Sequence, residues 1–108
     1  MQFEDTQRLF RSFPPEKFRD RRSLACELIK AAFIGHDLES MFEQLKDAVA
    51  YHRLNLNERE SFRRFCSDVR FLRRGWHHLS EEERIDMLTG KAIYSTLNKR
   101  IRERAPAA

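Results

Sequence analysis

Six arginines fall between positions 59 and 74, against only Glu60 and Asp68. A guanidinium binds carboxylate or phosphate through parallel N–H donors, so a row of them is suited to recognising anions. At ~100° per residue on a helix, Arg63, Arg70 and Arg74 stack nearly in line, with Arg59 and Ser67 beside them. Arg64 and Phe71 flank that line on one side and Arg73 on the other. Phe71 is out of register with the apolar face of Phe65, Val69, Leu72 and Trp76, which sets an aromatic ring among cations. Arg59, Arg63, Arg64, Arg70, Phe71, Arg73 and Arg74 are therefore the candidate partner-binding residues. A second basic cluster is Lys99, Arg100, Arg102 and Arg104, where cations also complement the negative end of a helix dipole. A third, Lys17, Arg19, Arg21 and Arg22, stands at an expected helix start, where the dipole opposes it and an acidic neighbour or partner is implied.

Arginine with an aromatic is the usual composition of a protein–protein hot spot, so the first expectation is a protein partner with an acidic surface. The alternative is DNA or RNA, with the arginines tracking phosphates and Phe71 stacking on a base. The interleaved acids Glu60, Asp68 and Glu103 weigh against that alternative. The plainest alternative is a solvated helix face with Phe71 packed on another element. A self-assembling subunit is also open, since nine phenylalanines are many for one small core. Phe3, Phe10, Phe13, Phe18 and Phe71 are the candidates for such an interface.

The other reactive side chains carry no constellation. The glycines stand alone at 35, 75 and 90, so no loop cradles a phosphate. No Gly-x-Ser-x-Gly elbow occurs. The histidines at 36, 52, 77 and 78 lack the spacings that chelate zinc or di-iron, and adjacent His77 and His78 point in different directions. No metal, no cofactor and no enzymatic activity are expected. His52 reads as a hydrogen-bonded histidine on an apolar face, and Cys26 and Cys66 as small buried hydrophobes. Glu83 to Ile101 has the outline of a helix-turn-helix around Gly90, but Asp86, Thr89, Lys91 and Thr96 fit its required positions poorly.

Composition frames these residues. The chain has 108 residues, 41% hydrophobic and 35% charged, with three Gly and three Pro. That is one globular domain with a solvated surface, neither disordered nor turn-rich. The net charge of +4 is all in the second half: residues 1–54 balance nine basic against nine acidic groups, and residues 55–108 hold twelve against eight. Arginine outnumbers lysine 16 to 5. The longest apolar run, Ala31 to Ile34, is far below the ~18 residues of a membrane span. The start, Met1-Gln2-Phe3-Glu4-Asp5, resembles neither a secretory leader nor a transit peptide. A cytoplasmic location, in a cell or in a phage-infected host, is the expectation.

The periodicity is helical throughout, and the spacing predicts an all-α compact bundle of four to five helices with short loops. One domain covers 1–104, and 105–108 form a frayed tail. A helix over 3–13, with Phe3, Leu9, Phe10 and Phe13 on one face, ends at Pro14-Pro15. Asp20 caps a helix over 21–34, with Leu24, Ala25, Leu28, Ile29, Ala32 and Phe33 inward and Gly35 past its end. Asp37 caps the next, over 38–53, with Met41, Phe42, Leu45, Ala48, Val49 and His52 inward. Asn57 and Glu60 suggest a capping box for the arginine-bearing helix over 58–74, which Gly75 ends. Ser80 with Glu83 opens the last segment, whose apolar positions are Ile85, Leu88, Ile93, Leu97 and Ile101. The same pattern leaves open whether Gly90 breaks that segment or is tolerated within it.

Overall fold

The computed structural model describes residues 21–105. They form an all-α bundle of five helices: α1 (Arg21–Phe33), α2 (Leu38–Ala48), α3 (Leu56–Arg74), α4 (Glu81–Leu88) and α5 (Tyr94–Arg104). Single 3₁₀ turns, Tyr51–Arg53 and Trp76–His78, lead into and out of the longest helix. No strand occurs among the described residues. The helix expected over 3–13, the cap at Asp20, the cations Lys17 and Arg19, and most of the tail lie outside them.

Helix α1 is the centre of the bundle. It packs on α2, α3 and α4, and Leu24, Ala25, Cys26, Leu28, Ile29 and Ala31 are all buried. Three neighbours demand a wider apolar surface than a single stripe. Phe33, placed in the stripe by its spacing, is instead 43% exposed at the helix end. The chain then turns tightly: His36 N–H donates to Ala31 C=O and Gly35 N–H to Ala32 C=O, a Schellman closure with Gly35 at φ 101°.

Asp37 caps α2, and its carboxylate accepts from Ser40 N–H at 3.0 Å and Ser40 Oγ at 2.7 Å. Those bonds hold the Asp37 carboxyl below the usual carboxylate range. Met41, Phe42 and Leu45 turn inward. The helix stops at Ala48, five residues short of the expected end, because Ala50 adopts a left-handed backbone, φ 53°. That break leaves Ala48 and His52 exposed, so the histidine expected on an apolar face lies at the surface. It also carries Tyr51 round to face α3.

The cap of α3 is Asn55 with Glu58, not Asn57 with Glu60. Both pairs have the same spacing. The earlier start prevails because Leu54 can then reach the core, and Glu60 is left to pair with Arg64. Phe62, Phe65, Cys66, Val69 and Leu72 form the buried face. Each fully buried side chain of this size contributes about 1.5–3 kcal/mol relative to exposure.

Gly75 ends α3 for a tertiary reason. A Cβ there would sit 2.5 Å from Ile101 Cγ2, and Ile101 is itself buried on α5. The α5 helix packs chiefly on α3, burying Tyr94, Leu97, Asn98 and Ile101. Asn98 Nδ2 donates to Asp68 C=O at 2.9 Å across this seam, while its Oδ1 is buried without a partner.

Ser80 and Glu83 form the expected capping box of α4. The helix ends at Leu88, and Gly90 supplies the second Schellman turn at φ 76°. Breaking the run at Gly90 resets its register. Met87 becomes the fully buried position, and Ile85 and Ile93, expected inside, are about half exposed. Thr96, which a helix-turn-helix would bury, is exposed.

Candidate functional site

The arginine face of α3 divides into two flanks with different neighbours. One flank borders a groove of ≈ 290 Å³ between α2 and α3. Phe42 and Phe62, both buried, and half-buried Tyr51 supply its aromatic walls. Tyr51 and Phe62 meet with ring centroids 5.5 Å apart, tilted by 60°. Lys46, Arg63 and Arg70 bring cations to the groove, against one lining acid, Glu43.

The cations are positioned by ring faces and carbonyls. The Lys46 ammonium lies 4.8 Å from the Tyr51 centroid, and the Arg59 guanidinium 5.5 Å from it. Arg59 also donates to the carbonyls of Tyr51 at 3.3 Å and His52 at 2.8 Å, which fixes the 3₁₀ turn to α3. Arg70 lies 4.9 Å from the Phe42 centroid. Its Nε and Nη2 donate to the two oxygens of Glu39 at 2.5 and 2.8 Å. This fork lowers the Glu39 pKa and raises that of Arg70. Arg63 is exposed and forms no ion pair with a described residue. Cys66, buried beside the groove, has its thiol pKa pushed up to about 12 by burial, so it stays protonated and unreactive.

The other flank faces α5 and is internally satisfied. Phe71, expected to stand free among cations, packs against the core, and Arg102 from α5 lies 4.9 Å from its ring centroid. Arg104 donates two bonds to Glu83, at 2.5 and 3.1 Å, and one to His78 C=O at 3.0 Å. Arg100 adds a third contact to Glu83 at 3.7 Å. The Arg104 fork, the Ser80 N–H bond and the cap together bring the Glu83 pKa down to about 2. Of the second basic cluster, Lys99 and Arg102 are exposed with no ion pair to a described residue, and Arg102 instead lies over the Phe71 ring.

The remaining arginines of α3 are dispersed. Arg64 pairs with Glu60 one turn away at 3.0 Å, both well exposed. Arg73 covers the Phe33 ring at 4.5 Å, and that ring contacts Trp76 at 5.0 Å. Arg74 is exposed beyond them. The structure therefore brings Arg59, Arg63 and Arg70 to one place and separates Arg64, Arg73 and Arg74 from it. Lys46, Phe42, Tyr51 and Phe62 belong to the same place; the sequence pattern marks Phe42 as an apolar-face residue of its helix and gives Lys46 and Tyr51, inside the helix expected over 38–53, no role. The available signal was the four-residue spacing of Phe42 and Lys46, which puts them one turn apart on the same face of α2.

Among the described residues, no three His, Cys, Asp or Glu side chains converge as metal ligands. No described helix is long and apolar enough to cross a membrane. No family model, curated relative or solved structure matches the chain.

Proposed function

We propose that this is a non-enzymatic helical binding protein that docks on an acidic protein surface through the α2–α3 flank of its arginine helix. The observation that carries this reading is the placing of Lys46, Arg63 and Arg70 beside the α2–α3 groove, where Arg63 is exposed and pairs with no carboxylate of a described residue, while Arg70 is held by Glu39. Cations held at ring faces lose little further freedom on binding, and desolvated Arg–aromatic pairs are where interface energy concentrates. The α5 cluster is a poorer docking surface, because Glu83 and Phe71 already occupy its guanidinium groups. Regulation of the partner, by steric block or by shifting its conformation, is the expected consequence of such docking. The free thiols of Cys26 and Cys66 fit a reducing compartment such as the cytoplasm.

Nucleic acid is the competing partner. Glu43 in the groove and Glu60 on Arg64 place negative charge where a phosphate backbone would run. The test uses the full chain, a fluorescein-labelled peptide of Glu and Asp with one central Phe, and a labelled single-stranded oligonucleotide. At about 150 mM salt, where non-specific phosphate binding is weakened, the peptide binds and Arg63→Glu abolishes its binding. Tight oligonucleotide binding with no peptide binding would overturn the reading in favour of nucleic acid.

A further inference from the structure

We infer that the docking flank of α3 pairs with the acidic outer face of α4 on a second copy of this chain. This rests on the docking reading above and names the acidic surface. On α4, Glu81, Glu82 and Ile85 share the side of the helix opposite buried Met87, and all three are exposed. Ile85 is 52% exposed and stands one turn beyond both glutamates, so its side chain lies beside theirs. Glu83 serves the cap and the α5 arginines. Glu81 and Glu82, by contrast, form no ion pair with a described residue. Within the chain α4 packs chiefly on α1, which leaves this outer face uncovered.

The counterpart lies on α3. At ~100° per residue, Leu56 falls on the same line as Arg63, Ser67 and Arg74. Leu56, at 78%, is the most exposed of the large apolar residues described. Two turns on, Arg63 meets no carboxylate of a described residue. Glu60, between them, is taken by Arg64, and Arg70, beyond them, by Glu39. Each face therefore joins one bare aliphatic side chain to charge without a partner among the described residues, and the two charges are opposite. Ile85 lies ~6 Å along its helix from Glu81, and Leu56 ~10 Å from Arg63. The length of an arginine side chain spans the difference. Laid across each other, the two helices bring Leu56 to Ile85 and Arg63 to the glutamates. Exposed apolar side chains rimmed by polar ones mark protein contact sites. Because the two faces belong to different helices of one chain, the contact is heterologous, and every copy both offers and accepts it.

The test is sedimentation equilibrium of the full chain. Its mean mass rises above that of one chain as concentration is raised, and falls back as salt screens the contact. Arg63→Glu and Glu82→Arg each weaken association about tenfold or more. An equimolar mixture of the two variants recovers it, because each supplies the face that the other lacks, and recovery shows that both variants fold. Association that ignores salt or survives either variant overturns this pairing of faces. So does a mixture that stays apart while both variants keep the helical circular dichroism of the parent. If Glu82→Arg unfolds, Leu56→Ser takes its place, and association unchanged by it overturns the pairing. A chain that keeps the mass of one copy but binds the acidic peptide overturns the second copy as partner and leaves the docking reading standing. A chain that neither associates nor binds the peptide overturns both.

Discussion

The two flanks of α3 carry the same kinds of residue and come to opposite ends. On the α5 side, Phe71 and the guanidinium groups of Arg100, Arg102 and Arg104 are consumed by contacts within the chain. On the α2 side, aromatic walls and cations remain around an open groove. The difference lies in the acids that tertiary packing delivers. Glu83 stands at the N-terminus of α4, where it serves the cap and also meets two arginines across the seam. No carboxylate of a described residue reaches Arg63, and Glu39 pairs with the Nε and Nη2 edge of Arg70. A count of arginines therefore says little about binding. What matters is how many guanidinium groups the fold leaves without a carboxylate.

Perturbing each flank should separate stability from binding. The largest effect is expected at the α3–α5 seam from Gly75→Ala, whose new Cβ would collide with buried Ile101. Overpacking of this kind costs about 1–3 kcal/mol, read as a lower urea midpoint. Peptide binding under native conditions should survive, and an unchanged midpoint would show that Ile101 can move aside. Next is Glu83→Gln, which keeps an N3 capping group but removes the charge that Arg104 and Arg100 share. A loss of roughly 0.5–1 kcal/mol at neutral pH is expected. The pH dependence sharpens it. The folded Glu83 pKa is depressed to about 2, so its contribution is complete above the unfolded carboxyl range near 4.5. It is lost as pH falls towards 2, and the variant and the parent should converge there.

On the groove side the effects on stability are smaller. Ala50→Gly relieves a left-handed alanine, a gain partly offset by the greater freedom of glycine when unfolded, for a net change of about 0.5 kcal/mol. A rise in thermal midpoint with weaker peptide binding would show that the strained residue holds Tyr51 in place. The smallest stability change is expected from Arg63→Ala, within about 0.5 kcal/mol, as for an exposed residue that makes no ion pair with a described residue. Peptide affinity should nevertheless fall at least tenfold. If Arg63→Ala destabilises the fold as much as Glu83→Gln does, the contrast between the flanks is lost.

Much of the fold was legible because helices announce themselves locally. The caps at Asp37 and Ser80 and the glycine stop at 35 all involve groups within a few residues of one another, whereas the pattern left open whether Gly90 breaks its segment. The errors arose where two local solutions were equivalent or where a remote group intervened. Asn55 and Asn57 offer the same capping spacing, and the burial of Leu54 decides between them. His52 and Ala48 continue an apolar stripe on paper, but α2 ends at Ala48, which is exposed there, and His52 lies in the 3₁₀ turn beyond it. Phe71 is out of register for α3 alone, and becomes part of the packing once α5 lies across it.

The same limit applies to the site. The alignment of Arg63 and Arg70 on one helix face follows from 3.6 residues per turn, so the sequence by itself determined that line, the all-helical class and most of the helix ends. Which arginines of the chain are spoken for depends on Glu39, Glu83, Phe33 and Phe42, which lie as many as 40 residues away in the chain. Hydrogen bonding along a helix is a nearest-turn interaction, and an amphipathic pattern records it. Charge compensation and groove formation depend on which helices meet and at what register. Only the packing of α2 and α5 on either side of α3 decided that one arginine flank is closed and the other open.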